Sequence, residues 1–230
     1  MQILMLSSSS YGEYAYLEYA TTWISELLGT SKNVLFIPYA GVTIRWADYT
    51  QKVQLALPDL NITGIHEYED PVDAIQNAKT IMVGGGNTFN LLANLYKYEL
   101  LDPLRHCVER GTKYIGWSAG SNICGKTIST TNDMPIIEPP SFNALGFVNA
   151  QLNPHYTDFH PEGFHGETRD QRIQEFCVLH PSTPVLGIRE GTALLRTNDS
   201  LRLLGNLNGE LFLNDKKTPF SDSTDLSEYL

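Results

Sequence analysis

Ser118 stands in Gly116-Trp117-Ser118-Ala119-Gly120, directly behind the apolar pair Tyr114-Ile115 and ahead of small residues that suit a helix start. A G-x-S-x-G segment placed this way turns a strand sharply into a helix and holds its serine strained and exposed. The glycines are needed because Cβ atoms would clash in so tight a turn. The backbone N–H of Ala119 then points at an oxyanion forming beside Ser118 Oγ. The chemistry this favours is attack by a serine hydroxyl on a carbonyl carbon.

A serine alkoxide needs a base, and the base needs an orienting acid. His106 and His180 fall at or near helix C-termini, where an imidazolium complements the dipole, and His66 follows a strand edge without companions. His155, in Asn153-Pro154-His155, opens a loop stiffened by proline, which suits a base that must be held in place. Two acids compete for the third role. Glu190 follows a strand at 185–188 and gives the chain order Ser, His, Glu, unlike the α/β-hydrolases. Asp133, in Asn132-Asp133-Met134-Pro135, would restore their order but follows the serine by only a short stretch. The residues themselves leave both open.

Gly84-Gly85-Gly86-Asn87-Thr88 lies between a strand and a helix. It is not a dinucleotide fingerprint, since Phe89 stands where the last glycine belongs, and it has no P-loop lysine. A backbone N–H there, such as that of Gly86, suits a second oxyanion donor opposite Ala119; the alternative is a tight turn only. Arg169 occupies the first turn of a helix at 168–179, where the dipole disfavours cations. Spacing favours a local ion pair with Glu167 or Asp170, whereas a guanidinium aimed outward could grip a carboxylate bidentately. His155, His160 and His165, with Asp158, Glu162 and Glu167 nearby, form a rival metal constellation. Their five-residue spacing fits neither an H-E-x-x-H helix nor a zinc finger.

These residues need a scaffold, and the chain can build one. It has 230 residues, 42% of them hydrophobic, enough for one sizeable core in a single domain spanning 1–230. The net charge of −10 is spread along the chain and argues against broad binding to nucleic acid or anionic membrane. No charged leader precedes the first apolar run, no run approaches membrane-spanning length, and three cysteines leave an odd thiol under any pairing. The expectation is a reduced, cytoplasmic protein. Strand-like runs at 2–6, 34–38, 62–67, 80–83 and 114–115 alternate with helical patterns at 15–28, 46–57, 88–96 and 101–110. This predicts an α/β fold with a doubly wound, mainly parallel sheet and sites at strand C-terminal ends, where Ser7, Gly84 and Ser118 fall. Long loops follow at 132–140 and 153–167, then a helix at 168–179 with a Thr168/Gln171 capping box. Short antiparallel strands at 185–188, 193–197, 201–204 and 210–213 come next, with Asn208-Gly209 as a hairpin turn and 221–230 as a loose tail.

Taken together, the segments resemble the peptidase E family of α-aspartyl dipeptidases. The resemblance rests on Phe36-Ile37-Pro38-Tyr39-Ala40-Gly41-Val42, Val83-Gly84-Gly85-Gly86-Asn87-Thr88-Phe89 and Tyr114-Ile115-Gly116-Trp117-Ser118-Ala119-Gly120. Thr130-Thr131-Asn132-Asp133-Met134-Pro135, Asn153-Pro154-His155 and Gly166-Glu167-Thr168-Arg169 add to it, while the last forty residues resemble the family little. It implies a flavodoxin-like sheet of the class I glutamine amidotransferase kind, with serine in place of their cysteine. It implies cleavage of dipeptides with an N-terminal aspartate, without metal or cofactor. By position, Ser118 is the nucleophile, His155 the base, Glu190 the orienting acid, and Gly86 and Ala119 the oxyanion donors. Arg169 matches the arginine that binds the aspartate side chain, and Asn87 and Asp133 fall at the substrate pocket. Ser121 and the Phe164-His165 pair depart from the common pattern and are expected to alter pocket charge. The alternatives are a cyanophycinase-like β-aspartyl peptidase and a catalytically silent binding relative; an intact Ser118, His155 and Glu190 set argues against the second.

Overall fold

The structure is a computed structural model that describes residues 1–163 and 165–230; Phe164 of the expected pocket pair lies outside the described residues. β1 (Gln2–Leu6) is buried from Ile3 onward on both faces, as a central strand of a covered parallel sheet must be. It is followed by α1 (Thr21–Leu28), β2 (Asn33–Ile37), α2 (Trp46–Ala56), β3 (Asn61–Gly64) and α3 (Pro71–Asn77). Then come β4 (Thr80–Val83), α4 (Thr88–Lys97), α5 (Leu101–Glu109), β5 (Lys113–Trp117) and the short α6 (Ala119–Asn122). The second half holds β6 (Gln151–Asn153), α7 (Arg169–Leu179), β7 (Val185–Gly187), β8 (Ala193–Thr197), β9 (Ser200–Leu204), β10 (Gly209–Leu213) and β11 (Lys216–Phe220).

The main sheet has the order β3-β2-β4-β5-β1-β8-β9, parallel from β3 to β1 and antiparallel at β8 and β9. Alternation along the strands divides the core in two. Ile3, Met5, Ile81 and Val83 face α3, α4 and α5; Leu4, Leu6, Met82 and Ile115 face α1 and α2. The parallel strands therefore end together, and β4, β5 and β1 bring Gly84, Ser118 and Ser7 to one edge.

Several elements differ from the sequence expectation. A second sheet, β11-β10-β7-β6, joins the expected strands β7 and β10 to β6 and β11, where the sequence suggested no strand. β10 pairs with β7 and β11, not with β9, so Asn208-Gly209 is no hairpin turn. The tight turns instead sit at Asn198 and Asn214, both at positive φ, which asparagine tolerates. The helix expected from residue 15 begins at Thr21, after Leu17 adopts φ 62°. α3 was not anticipated, although Asp70 accepts from the N–H groups of Val72 and Asp73 and Pro71 takes the first turn. The loose tail is packed: Leu226 and Tyr229 are buried in the main core, and the Leu226 N–H donates to Leu201 O. Cys107, Cys124 and Cys177 are buried and unpaired. Among the described residues, no helix is long and apolar enough to cross a membrane.

Candidate active site

Ser118 caps α6 at φ 53°, ψ −113°, the strained left-handed turn that the surrounding glycines were expected to permit. Each glycine has a steric reason. A Cβ at Gly116 would meet the Gly120 carbonyl, and one at Gly120 would meet the Val83 carbonyl on the neighbouring strand. Gly85 passes so close that a Cβ there would lie 2.9 Å from Ser118 Cβ. Gly86, at φ 138°, packs against the Ala40 carbonyl, where a side chain has no room. The N–H groups of Gly86 and Ala119 make no hydrogen bond among the described residues. Two unspent donors thus flank the serine, as an oxyanion site requires.

His155 follows β6 through Pro154 and also sits at positive φ, 56°. Its Nε2 is 2.9 Å from Ser118 Oγ and its Nδ1 is 2.6 Å from Glu190 Oε1. Both ring nitrogens are engaged in hydrogen bonds, and no cluster of three potential metal ligands occurs among the described residues. A hydroxyl, an imidazole and a carboxylate in line can move a proton from Ser118 to His155 while Glu190 steadies the ring. Asp133 is elsewhere. Its Oδ2 accepts from the Thr88 N–H (2.7 Å) and the Thr88 hydroxyl (2.6 Å), at the start of α4. A carboxylate there completes the helix N-terminus and complements its dipole.

Ser7 is the residue that the sequence marked only by its position at a strand end. Buried at the end of β1, its hydroxyl accepts from the His155 N–H (2.8 Å) and donates to Ile188 O (2.8 Å). One side chain thereby fixes the backbone of His155 against the strand that leads to Glu190. The signal available was a polar residue closing an otherwise apolar central strand.

Arg169 opens α7, and the capping box forms as expected, with Thr168 Oγ1 accepting from the Gln171 N–H and Gln171 Oε1 from the Thr168 N–H. The expected local ion pair does not. Glu167 approaches Arg172 (3.5 Å) and Asp170 binds Lys217 (2.8 Å) and the Tyr156 hydroxyl (2.5 Å). Arg169 makes no ion pair among the described residues. Burial, and then the neighbouring Arg172 charge, pull its pKa below the ordinary guanidinium value, with Asp133 and Tyr156 opposing. A half-buried cation without a partner is costly unless a ligand supplies the anion. Arg169 lines a cleft of about 260 Å³ with residues from 157–161 and a smaller one of about 70 Å³. The latter shares Thr131 and Asn132 with the hollow of about 20 Å³ beside Ser118.

Two expectations change. Asn87 caps α4 by accepting from the Asn90 N–H and donates to Met134 O (2.8 Å), so its amide ties the 132–135 loop to α4. Ser121 is buried, its hydroxyl shared between the Leu6 and Gly116 carbonyls, and it does not set pocket charge. A cavity of about 1010 Å³ lies at the opposite edge of the sheet, among the strand N-terminal ends.

Comparison with known proteins gives matches along most of the chain. The profile of Peptidase family S51 matches residues 3–204. A peptidase E of Shewanella amazonensis is 52% identical over 233 residues, covering 100% of this chain and 99% of that protein. One of Shewanella denitrificans is 54% identical over 230 residues, covering 99% and 98%. Both extend through the last forty residues, so the likeness there is greater than the sequence motifs suggest. A solved structure from Listeria monocytogenes, assigned to peptidase E, shares the fold with a TM-score of 0.67 at 21% identity, covering 90% of this chain and 98% of that one.

Proposed function

The chain belongs to peptidase family S51, and from that premise we propose that it is a serine-type exopeptidase releasing aspartate from Asp-Xaa dipeptides. The observation that carries this reading is the His155 ring, which spans 2.9 Å to Ser118 Oγ and 2.6 Å to Glu190 Oε1. His155 Nε2 takes the Ser118 proton as Oγ attacks the Asp–Xaa carbonyl carbon. The tetrahedral oxyanion accepts hydrogen bonds from the Gly86 and Ala119 N–H groups, and His155 returns the proton to the leaving amine. Water, deprotonated by the same imidazole, then attacks the acyl-enzyme and frees aspartate. Glu190 keeps the imidazole in the tautomer that presents a bare Nε2 to the serine.

Selectivity belongs to Arg169. An aspartate side chain supplies the anion that this guanidinium lacks, whereas a neutral residue leaves a half-buried charge unpaired. Asp133 and Asn87 serve the pocket indirectly, by fixing the 131–135 loop to α4 between Ser118 and Arg169. Among the described residues, the hollow beside Ser118 has little room beyond the reacting carbonyl, which leaves the Arg169 clefts for the side chain.

The test is amino-acid release from Asp-Leu, Glu-Leu, isoAsp-Leu and N-acetyl-Asp-Leu, with Ser118→Ala as control. Hydrolysis confined to Asp-Leu and lost in the variant is the expected result. Cleavage of isoAsp-Leu instead would move the protein to a β-aspartyl peptidase. Activity that survives in Ser118→Ala would remove the serine mechanism.

A further inference from the structure

Tyr49, on α2, is buried beneath the Gly84–Gly86 turn, and its hydroxyl meets three groups. Trp117 Nε1 lies at 3.2 Å, Tyr16 Oη at 3.2 Å and the Gly85 carbonyl oxygen at 3.0 Å. An indole N–H can only donate and a carbonyl can only accept. With Tyr16 also donating to it, the Tyr49 proton is committed to Gly85 O. That carbonyl shares one planar trans peptide with the Gly86 N–H, and the two point in opposite directions. Whatever fixes the Gly85 carbonyl therefore aims the Gly86 N–H.

The neighbouring residues make room for this contact. A Cβ at Gly84 would stand 2.7 Å from Tyr49 Oη and 2.9 Å from two of its ring carbons, so glycine there admits the phenol. Phe36 packs edge-on against Tyr49 and stacks on Trp117, holding both rings. Trp117 immediately precedes the nucleophile. Tyr49 thus touches, through two hydrogen bonds, the peptide that carries one oxyanion donor and the side chain next to Ser118. Burial pushes its pKa above the ordinary phenol value, so it remains a proton donor throughout the neutral range.

We propose that Tyr49 is a positioning residue for the hydrolysis: it orients the Gly85–Gly86 peptide so that the Gly86 N–H faces the oxyanion. This rests on the serine-peptidase reading above and extends it. Steady-state kinetics on Asp-Leu and the rate of Ser118 phosphonylation by a fluorophosphonate would be measured for wild type, Tyr49→Phe, Tyr16→Phe and Gly84→Ala. A lost oxyanion donor costs about 100- to 1000-fold, and a misaimed one less. Tyr49→Phe should lower kcat and the phosphonylation rate by about 10- to 100-fold, with KM within about two-fold and an unchanged pH–rate profile. Tyr16→Phe, which removes a donor into Tyr49 and leaves the Gly85 contact, should stay within about three-fold of wild type. Gly84→Ala should reproduce the loss by displacing the phenol without deleting any hydrogen-bonding group, and it decides the matter if Tyr49→Phe does not fold.

Wild-type rates in folded Tyr49→Phe would overturn the proposal. So would a loss accompanied by a shifted pH profile or a matching rise in KM, or failure of both variants to fold, since each marks a general structural role. A wild type that is phosphonylated but inert to Asp-Leu would remove the substrate assignment and leave the Tyr49 comparison readable in the phosphonylation rate. A wild type inert to both would remove the serine mechanism and Tyr49's role with it.

Discussion

At the scale of single residues, the site depends on groups that hold reacting atoms as much as on the reacting atoms. Ser7 Oγ is the clearest case, because His155 adopts a left-handed backbone that costs energy unless its surroundings enforce it. Ser7→Ala leaves the His155 N–H without its acceptor and releases that constraint. Misplacing a base by about 1 Å can cost about 100-fold, so kcat on Asp-Leu should fall by about 10- to 100-fold with little change in KM. Unaltered kcat in a folded variant would show that Pro154 and the Glu190 contact suffice. The role proposed for Arg169 is in the choice of substrate. A charged hydrogen bond contributes about 1.5–3 kcal/mol, or roughly 10- to 150-fold in affinity. Arg169→Ala should therefore erase most of the preference for Asp-Leu over Ala-Leu in kcat/KM. Phosphonylation of Ser118 should be unchanged. A retained preference would assign selectivity to another group.

At the scale of elements, the loop after His155 is tied to the small sheet by charge. Arg189 binds Asp158 through two hydrogen bonds (2.7 and 2.8 Å), reaches Glu210 and lies over the Tyr156 ring. Its hydrogen bonds hold the Asp158 carboxyl down at about 2. A depressed carboxyl pKa adds stability that is present above the unfolded value, about 3.9, and is lost as pH falls through the folded one. Asp158 is nearly half exposed, so solvent screening makes the contribution modest. The Tm difference between wild type and Asp158→Asn should be positive at pH 7 and shrink between about pH 4 and 2. A difference that stays constant over that window would mean the pair does not stabilise the fold. Legibility in the sequence follows the same division. β1, β4, α4, α5 and the Ser118 turn were readable because each is set by local pattern: apolar runs, 3.6-residue spacing and glycine placement. The small sheet was not, since β7 must find β6 and β10 across long stretches of chain. Nor was the choice between Glu190 and Asp133, because partners for His155 depend on where two loops end in space.

At the scale of the whole molecule, the chain's last segment matters because of where the main sheet stops. β9 is an edge strand, and an uncovered edge offers unpaired backbone groups to other chains. The Leu226 N–H donates to Leu201 O, Ser227 Oγ accepts from the Leu201 N–H, and Tyr229 O accepts from the Asn149 N–H, so the tail covers part of that edge. Nothing in the polar composition of 221–230 announced this; two apolar residues, Leu226 and Tyr229, carry the packing. Truncating a buried aromatic side chain costs about 3–5 kcal/mol, and about 1 kcal/mol shifts Tm by roughly 2–4 °C in a chain of this size. Tyr229 retains slight exposure, so Tyr229→Ala should lower Tm by about 5–10 °C. Removal of 221–230 should lower it further and add concentration-dependent light scattering as the β9 edge is exposed. The Ser118 site lies at the ends of β4, β5 and β1, two strands away from β9, so kcat of the folded fraction at 25 °C should not change. Unchanged melting in both variants would show that the tail merely rests on the sheet. A lost kcat with an unchanged Tm would instead connect the tail to the site through Asn149 and β6.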